Sequence, residues 1–341
     1  MKQMVLILLF LVAPSAYGAE DFVPRHYYGA KLEPVAQVLH GAGQHNMSDV
    51  ESYSKTVAPY HPVIFMDYCG GVKGAGAWYA DNLKKKLGEF PKYTAVQLGL
   101  SMTRDGKPEE HYEQDVAAGK YDTNLAALLT ALKPLNVPLY MRIGYECNGY
   151  WNGYQPEPYK KAFHHVAQMI RTNGIGAATV WCPHPNNLRE AMKYYPGDEW
   201  VDWWAVDIFS PDQINESKPL IAEAHRHAKP VMIGESTPRG VGVLAGKTSW
   251  DRWFGPYFEL IHKSPGIKAF CYINWNWAEH PQWKDWGDAR LQQNKEVADL
   301  YRKEMSLPLY LHGSTREAFE KAFSATGELK APDKTDAGDG K

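Results

Sequence analysis

Short apolar, β-rich runs alternate with helical stretches along most of this chain, and that alternation limits its architecture more than any other feature. The runs fall at 35–40, 62–67, 93–100, 137–145, 177–181, 201–208, 230–234 and 267–275. Val231-Met232-Ile233 is wholly apolar, as suits a parallel strand covered on both faces. Between the runs, Tyr159, Phe163, Val166 and Ile170 recur at helical spacing, as do Trp250, Trp253, Phe254, Tyr257 and Ile261. A further helix is expected over 215–228, and Gly174 makes a stop for the helix ending near Asn173. No Gly-rich dinucleotide fingerprint follows the first strand, Gly41-Ala42-Gly43 being too short. Eight strand–helix units therefore predict an α/β fold, a single-domain (β/α)8 TIM barrel, over an open doubly wound sheet.

The ends read differently. Residues 1–18 have the form of a signal peptide: Lys2, an apolar core at 5–12, and the small-x-small site Ala16-Tyr17-Gly18. The core is too short to cross a bilayer. The expected organisation is a signal peptide at 1–18, a catalytic barrel at 19–326 and a disordered polar tail at 327–341. The destination is secreted or periplasmic, with no membrane span and a monomer as the default state. A formal net charge of −2 over 341 residues points to no nucleic-acid partner. Cys69, Cys147, Cys182 and Cys271 match no metal motif, and export permits either free thiols or bridges.

In such a barrel the chemistry sits where the strands end. Two glutamates hold matching places there. Glu146 follows the strand-4 run Leu139-Tyr140-Met141-Arg142-Ile143-Gly144-Tyr145, and Glu235 follows the strand-7 run Pro230-Val231-Met232-Ile233-Gly234. Strand alternation puts Arg142 on the face of Glu146, where it could hold a carboxylate ionised. Either glutamate alone would be read as a helix cap or ion pair. As a pair they suit hydrolysis of a glycosidic bond, which takes one protonated and one charged carboxyl. Tryptophan and tyrosine, 12 and 21 in number, are abundant enough to supply flat sugar platforms. Trp151, Trp181, Trp275 and Trp277 are the candidates. Trp250 and Trp253 fall on a helix stripe and read as core; of Trp203 and Trp204, at most one faces the barrel.

These motifs resemble glycoside hydrolase clan A, and most closely family 26, whose members include β-mannanases and some β-1,3-xylanases and β-glucanases. Arg142, Glu146, Asn148-Gly149 and Trp151 fit the family's strand-4 pattern, and residues 229–236 are similar to its strand-7 motif. The resemblance spans about residues 35–310. It implies a retaining mechanism with Glu146 as acid/base, Glu235 as nucleophile, and Trp275 as floor of the subsite that holds the reacting sugar. The chain departs from the family twice. Tyr145 stands where His is usual, and Phe209 stands where a strand-6 Tyr bonds the nucleophile. Phenylalanine has no hydroxyl, so that bond is expected from another residue, with Tyr272 and Tyr145 the candidates. The chain is thus expected to be a divergent member or to belong to a sister family.

The remaining candidates are substrate ligands: Arg142, Tyr145, Asn148, His184, Asp207, Gln44 and Asp67. Asp207 could equally tune a neighbour's pKa, and Gln44 and Asp67 could be loop caps. His164, His165, His225 and His227 read as structural or surface, and His40 and His45 lack a metal-binding spacing. Neither metal nor cofactor is expected. The open alternatives are a non-catalytic polysaccharide-binding barrel, a metal-dependent barrel hydrolase, and a clan A enzyme acting on a different glycan, such as an algal one.

Overall fold

Each of the eight apolar runs overlaps a parallel strand. A computed structural model describes residues 22–43, 47–88, 94–104, 107–313 and 315–323; the expected signal segment, the polar tail and Gln44 lie outside them. The strands are β1 (Val38–Gly43), β2 (Ile64–Tyr68), β3 (Ala95–Leu100), β4 (Leu139–Ile143), β5 (Ala178–Trp181), β6 (Trp203–Ile208), β7 (Val231–Ser236) and β8 (Ile267–Tyr272). Each pairs with the next, and β8 closes on β1 through Leu39–Ala269 and His40–Phe270, so the sheet is a barrel.

Helices follow the strands: α1 (Met47–Val57), α2 (Trp78–Leu87), α3 (Asp122–Leu132), α4 (Pro156–Asn173), the short α5 (Leu188–Met192), α6 (Pro211–Arg226), α7 (Gly255–Lys263) and α8 (Lys295–Met305). Helix α4 ends as its sequence requires, with Gly174 left-handed at φ 70°. Helix α6 begins four residues before the expected point. Ser210 and Gln213 form a capping box there and Pro211 occupies the first turn, three start signals that outweigh the apolar spacing.

Side chains alternate between two cores. Ile64, Met66, Tyr140, Trp203, Ala205, Met232 and Cys271 fill the barrel. Phe65, Met141, Trp181, Trp204, Val206 and Phe270 pack outward against the helices. Trp203 is therefore the member of its pair that faces inward. Leu32, Leu311, Phe319 and Phe323 join the inner core, and Tyr310–Leu311 adds a short strand beside β1. All four cysteines are buried free thiols.

Alternation also fails at two places that present a carboxyl. Strand β4 ends at Ile143, two residues short of the apolar run, because Gly144 (φ 58°) and Glu146 (φ 51°) both turn left-handed. In β7 the pairing with β6 shifts between Val206–Ile233 and Asp207–Glu235, so Gly234 is an extra, bulged residue. The bulge turns Glu235 to the same interior as Met232 and Asp207.

Candidate active site

Arg142 lies buried in the barrel, three residues into β4, and organises the carboxyls around it. Its Nη2 donates to Asp207 Oδ2 and to Glu235 Oε1, both at 2.9 Å. Its Nη1 reaches Gln97 Oε1 at 2.8 Å when that amide is turned so that Nε2 donates to the Gly234 carbonyl at 3.0 Å. The guanidinium also lies over the Tyr145 ring, 4.7 Å from its centre. Gly234 is needed for more than its bulge: a Cβ there would stand 2.8 Å from Asp207 Oδ1 and 3.0 Å from Arg142 Nη1.

Glu146 sits apart from the arginine's donors. Its Oε2 accepts from Trp151 Nε1 at 2.8 Å. Asn152 clamps the turn beneath it, donating to the carbonyls of Tyr145 (3.1 Å) and Glu146 (3.0 Å). Trp151 can fold back because Gly149 has no Cβ, which would meet the indole Cε2 at 2.5 Å. Burial, and then the charges of Asp207 and Glu235, hold the Glu146 carboxyl well above the usual glutamate range; the Trp151 bond and Arg142 oppose this without reversing it. Burial also pushes the Asp207 carboxyl up to about 7, against the pull of Arg142. One raised carboxyl, Glu146, thus shares the charge environment of a second, Glu235, that an arginine holds.

An aromatic wall rises from the loop after β8. Half-buried Trp275 packs on Trp277 (4.8 Å between ring centres) and His280 (4.0 Å), with Trp283 and Trp286 completing the cluster. Phe209 belongs to this wall, 5.3 Å from Trp286. Arg239 lies over the Trp286 ring at 4.6 Å. The position that lacks a hydroxyl is therefore filled by aromatic packing.

Several candidates take other places. Asp67 is on the outer face of β2, where Tyr79 Oη (2.8 Å) and Lys86 Nζ (2.7 Å) of α2 bind it, so it holds a helix and does not face the mouth. Trp181 is fully buried between barrel and helices, edge-on to Trp204 at 4.6 Å, and offers no platform. Trp277 is buried with its Nε1 on Thr237 Oγ1 at 3.0 Å, so it supports Trp275 from behind. Asn148 directs its amide to the His184 main chain, at 3.1 Å and 2.7 Å, tying the β4 and β5 loops together. His184 presents its ring to Trp151 at 5.0 Å and meets Gln213 Nε2 at 3.0 Å; burial lowers its pKa, and the amide contact fits a neutral imidazole. Tyr272 donates to the Ala289 carbonyl at 2.6 Å in the outer core and cannot serve Glu235.

Three site residues escaped the sequence reading. Gln97 carried a signal, a lone amide inside an apolar strand. Asn152 carried none beyond lying in the same loop as Glu146. Tyr68 could have been found by parity, since it shares the inward face of Ile64 and Met66; its ring packs on Tyr145, 5.7 Å between ring centres.

A closed barrel that gathers two glutamates, an aspartate and a buried arginine at its strand ends has groups of the kind that cleave glycosidic bonds, and the comparisons make the chain a glycoside hydrolase. The family model described as Glycosyl hydrolase family 26 matches residues 43–242, and the chain belongs to that family. Among curated relatives it is 29% identical to "Beta-1,3-xylanase" of Alcaligenes sp, over 93% of this chain and 73% of that protein. It is 28% identical to "Beta-1,3-xylanase TXYA" of Vibrio sp, over 89% and 72%. A family 26 β-mannanase structure from Bacteroides ovatus superposes with a TM-score of 0.57 at 16% identity, covering 83% of this chain and 93% of that one, and shares the fold.

Proposed function

We propose that this chain is an exported, endo-acting, retaining hydrolase of β-1,3-linked xylan. The observation that carries the catalytic part is the contrast between its two glutamates. Glu235 is bound by Arg142, while Glu146 is kept protonated by burial and by its anionic neighbours. In the first step a Glu235 oxygen bonds to the anomeric carbon as the bond to the departing sugar oxygen breaks, and the Glu146 proton passes to that oxygen. In the second step Glu146 takes a proton from water, whose oxygen attacks the same carbon and releases Glu235. Trp275 supplies the sugar floor, and Tyr145 and Asp207 hold the arginine that steers the nucleophile.

The choice of xylan rests on the two β-1,3-xylanase relatives, each aligned over most of this chain. Export rests on the signal-like residues 1–18 and suits a polymeric substrate; no helix among the described residues is long and apolar enough to cross a membrane. The test is incubation with β-1,3-xylan, β-1,4-mannan and β-1,3-glucan, with product sizing and NMR of the first product. The expected result is short β-1,3-xylo-oligosaccharides with a β-configured new end, abolished by Glu235→Ala and partly restored to that variant by azide. Inversion would overturn the mechanism. Cleavage of mannan alone would overturn the substrate, and binding without turnover across the panel would overturn catalysis.

A further inference from the structure

We propose that a groove on the flank of the barrel is a second glycan-binding site, which holds a neutral polysaccharide strand outside the catalytic centre. The inference rests on the reading of the substrate as a neutral β-linked glycan. The groove is open, has a volume of about 630 Å³, and runs between the segment 247–254 and helix α8. Small-molecule sites span about 300–1,000 Å³. Both elements begin where the loops after β7 and β8 end, so the groove lies on the rim that carries the Trp275 wall. Trp250 and Leu300 are its apolar lining. Helical spacing reads Trp250 as core, yet its ring is only half-buried. The cause is a π-turn over Trp250–Phe254, closed by the Gly255 N–H on the Trp250 carbonyl. One extra residue in the turn rotates Trp250 by about 100° out of the stripe that α7 continues. Phe254 backs the ring, 5.6 Å away and within 10° of parallel. The Trp253 and Trp277 indoles each donate to an acceptor inside the fold, whereas the Trp250 N–H has none among the described residues and is open to solvent.

The rim of the groove selects an uncharged ligand. Lys247 Nζ binds Asp251 and Lys295 Nζ binds Asp299, both at 2.6 Å and one helical turn along. Glu296 Oε2 accepts from the Lys247 main-chain N–H at 2.8 Å, and Arg302 pairs with Asp299. Three cations thus balance three carboxylates, and an ionic ligand would have to break pairs already made. A sugar breaks none: its C–H face packs on the indole, and its hydroxyls bond to the lone pairs and N–H groups that the pairs leave open. The groove is also tied to the catalytic loops. Asn294, which caps α8, donates to the Leu244 carbonyl at 3.3 Å, and Trp253 Nε1 donates at 2.7 Å to the carbonyl of Phe209, a member of the aromatic wall. A polymer held here stays close to the mouth, which raises its effective concentration there.

The test has two arms. In the first, Glu235→Ala protein with isotope-labelled tryptophan is titrated with β-1,3-xylo-oligosaccharides, and the indole N–H signals of Trp250 and Trp275 are followed by NMR, each assigned from its Trp→Phe variant. Both signals should shift. In the second, Trp250→Ala in the active enzyme should lower retention on insoluble β-1,3-xylan about fivefold, with kcat/KM on short oligosaccharides within about twofold of wild type. A Trp250 signal that stays in place while that of Trp275 moves overturns the inference and leaves the substrate reading standing. A shifted Trp250 signal with unchanged retention of Trp250→Ala overturns it as well. If neither signal moves, the substrate reading falls and the groove site with it. Should Trp250→Ala fail to fold, the Trp250 signal in the Glu235→Ala chain alone decides.

Discussion

Arg142 binds Glu235 and Asp207 through the same nitrogen, Nη2, at the same 2.9 Å. Losing the arginine therefore strands two buried carboxyls at once. Arg142→Ala is expected to cost about 3–5 kcal/mol of stability. Arg142→Lys keeps the charge but loses the planar fork that also reaches Gln97, so kcat should fall at least ~100-fold while the fold survives. Chemical denaturation and steady-state kinetics on the two variants separate these effects.

Trp151→Phe should shift the alkaline limb of the kcat/KM–pH profile to higher pH. The indole N–H favours the charged form of Glu146, so its loss raises a carboxyl that already lies above its ordinary range. The general acid must carry its proton, and activity is lost as pH rises through that value; a higher pKa keeps the acid protonated further into alkali. A limb that moves toward acid would contradict the assignment of Glu146.

Gly234→Ala should inactivate the enzyme without touching a functional group. The added methyl would enter the space between Asp207 Oδ1 and Arg142 Nη1. Overpacking of this kind costs about 1–3 kcal/mol, and relief by moving either group misplaces Glu235. Thermal unfolding together with kcat records both consequences.

Two tryptophans of the mouth strands should behave oppositely. Trp181→Ala removes a fully buried ring and should cost about 3–5 kcal/mol of stability with little change in KM. Trp275→Ala removes a half-exposed ring and should raise KM or lower kcat with a smaller loss of stability. Melting curves and oligosaccharide kinetics on the pair would show which ring meets sugar.

The barrel was legible because parallel strands buried on both faces leave uninterrupted apolar runs, and Gly174 marks a helix end chemically. The two glutamates were legible because each is the first acid after such a run. What was not read off was the direction of side chains at the strand ends, which alternation does give. Asp67 and Trp181 each lie one residue out of phase with the inward face, and both turned outward. Glu146 and Glu235 reach the interior through a left-handed turn and a bulge, which interrupt the very period used to place them.

The left-handed φ of 51° at Glu146 sets function against folding. An L-residue with a long side chain loses roughly 1–2 kcal/mol in that conformation, and here it also brings a carboxyl into a crowd of two others. A glycine would adopt the turn without strain and carry no carboxyl. The chain's most stable variant at this position is therefore expected to be a dead one, Glu146→Gly, with a higher melting temperature than wild type. Selection for robustness alone would discard this residue, and its persistence would measure what catalysis requires of the fold.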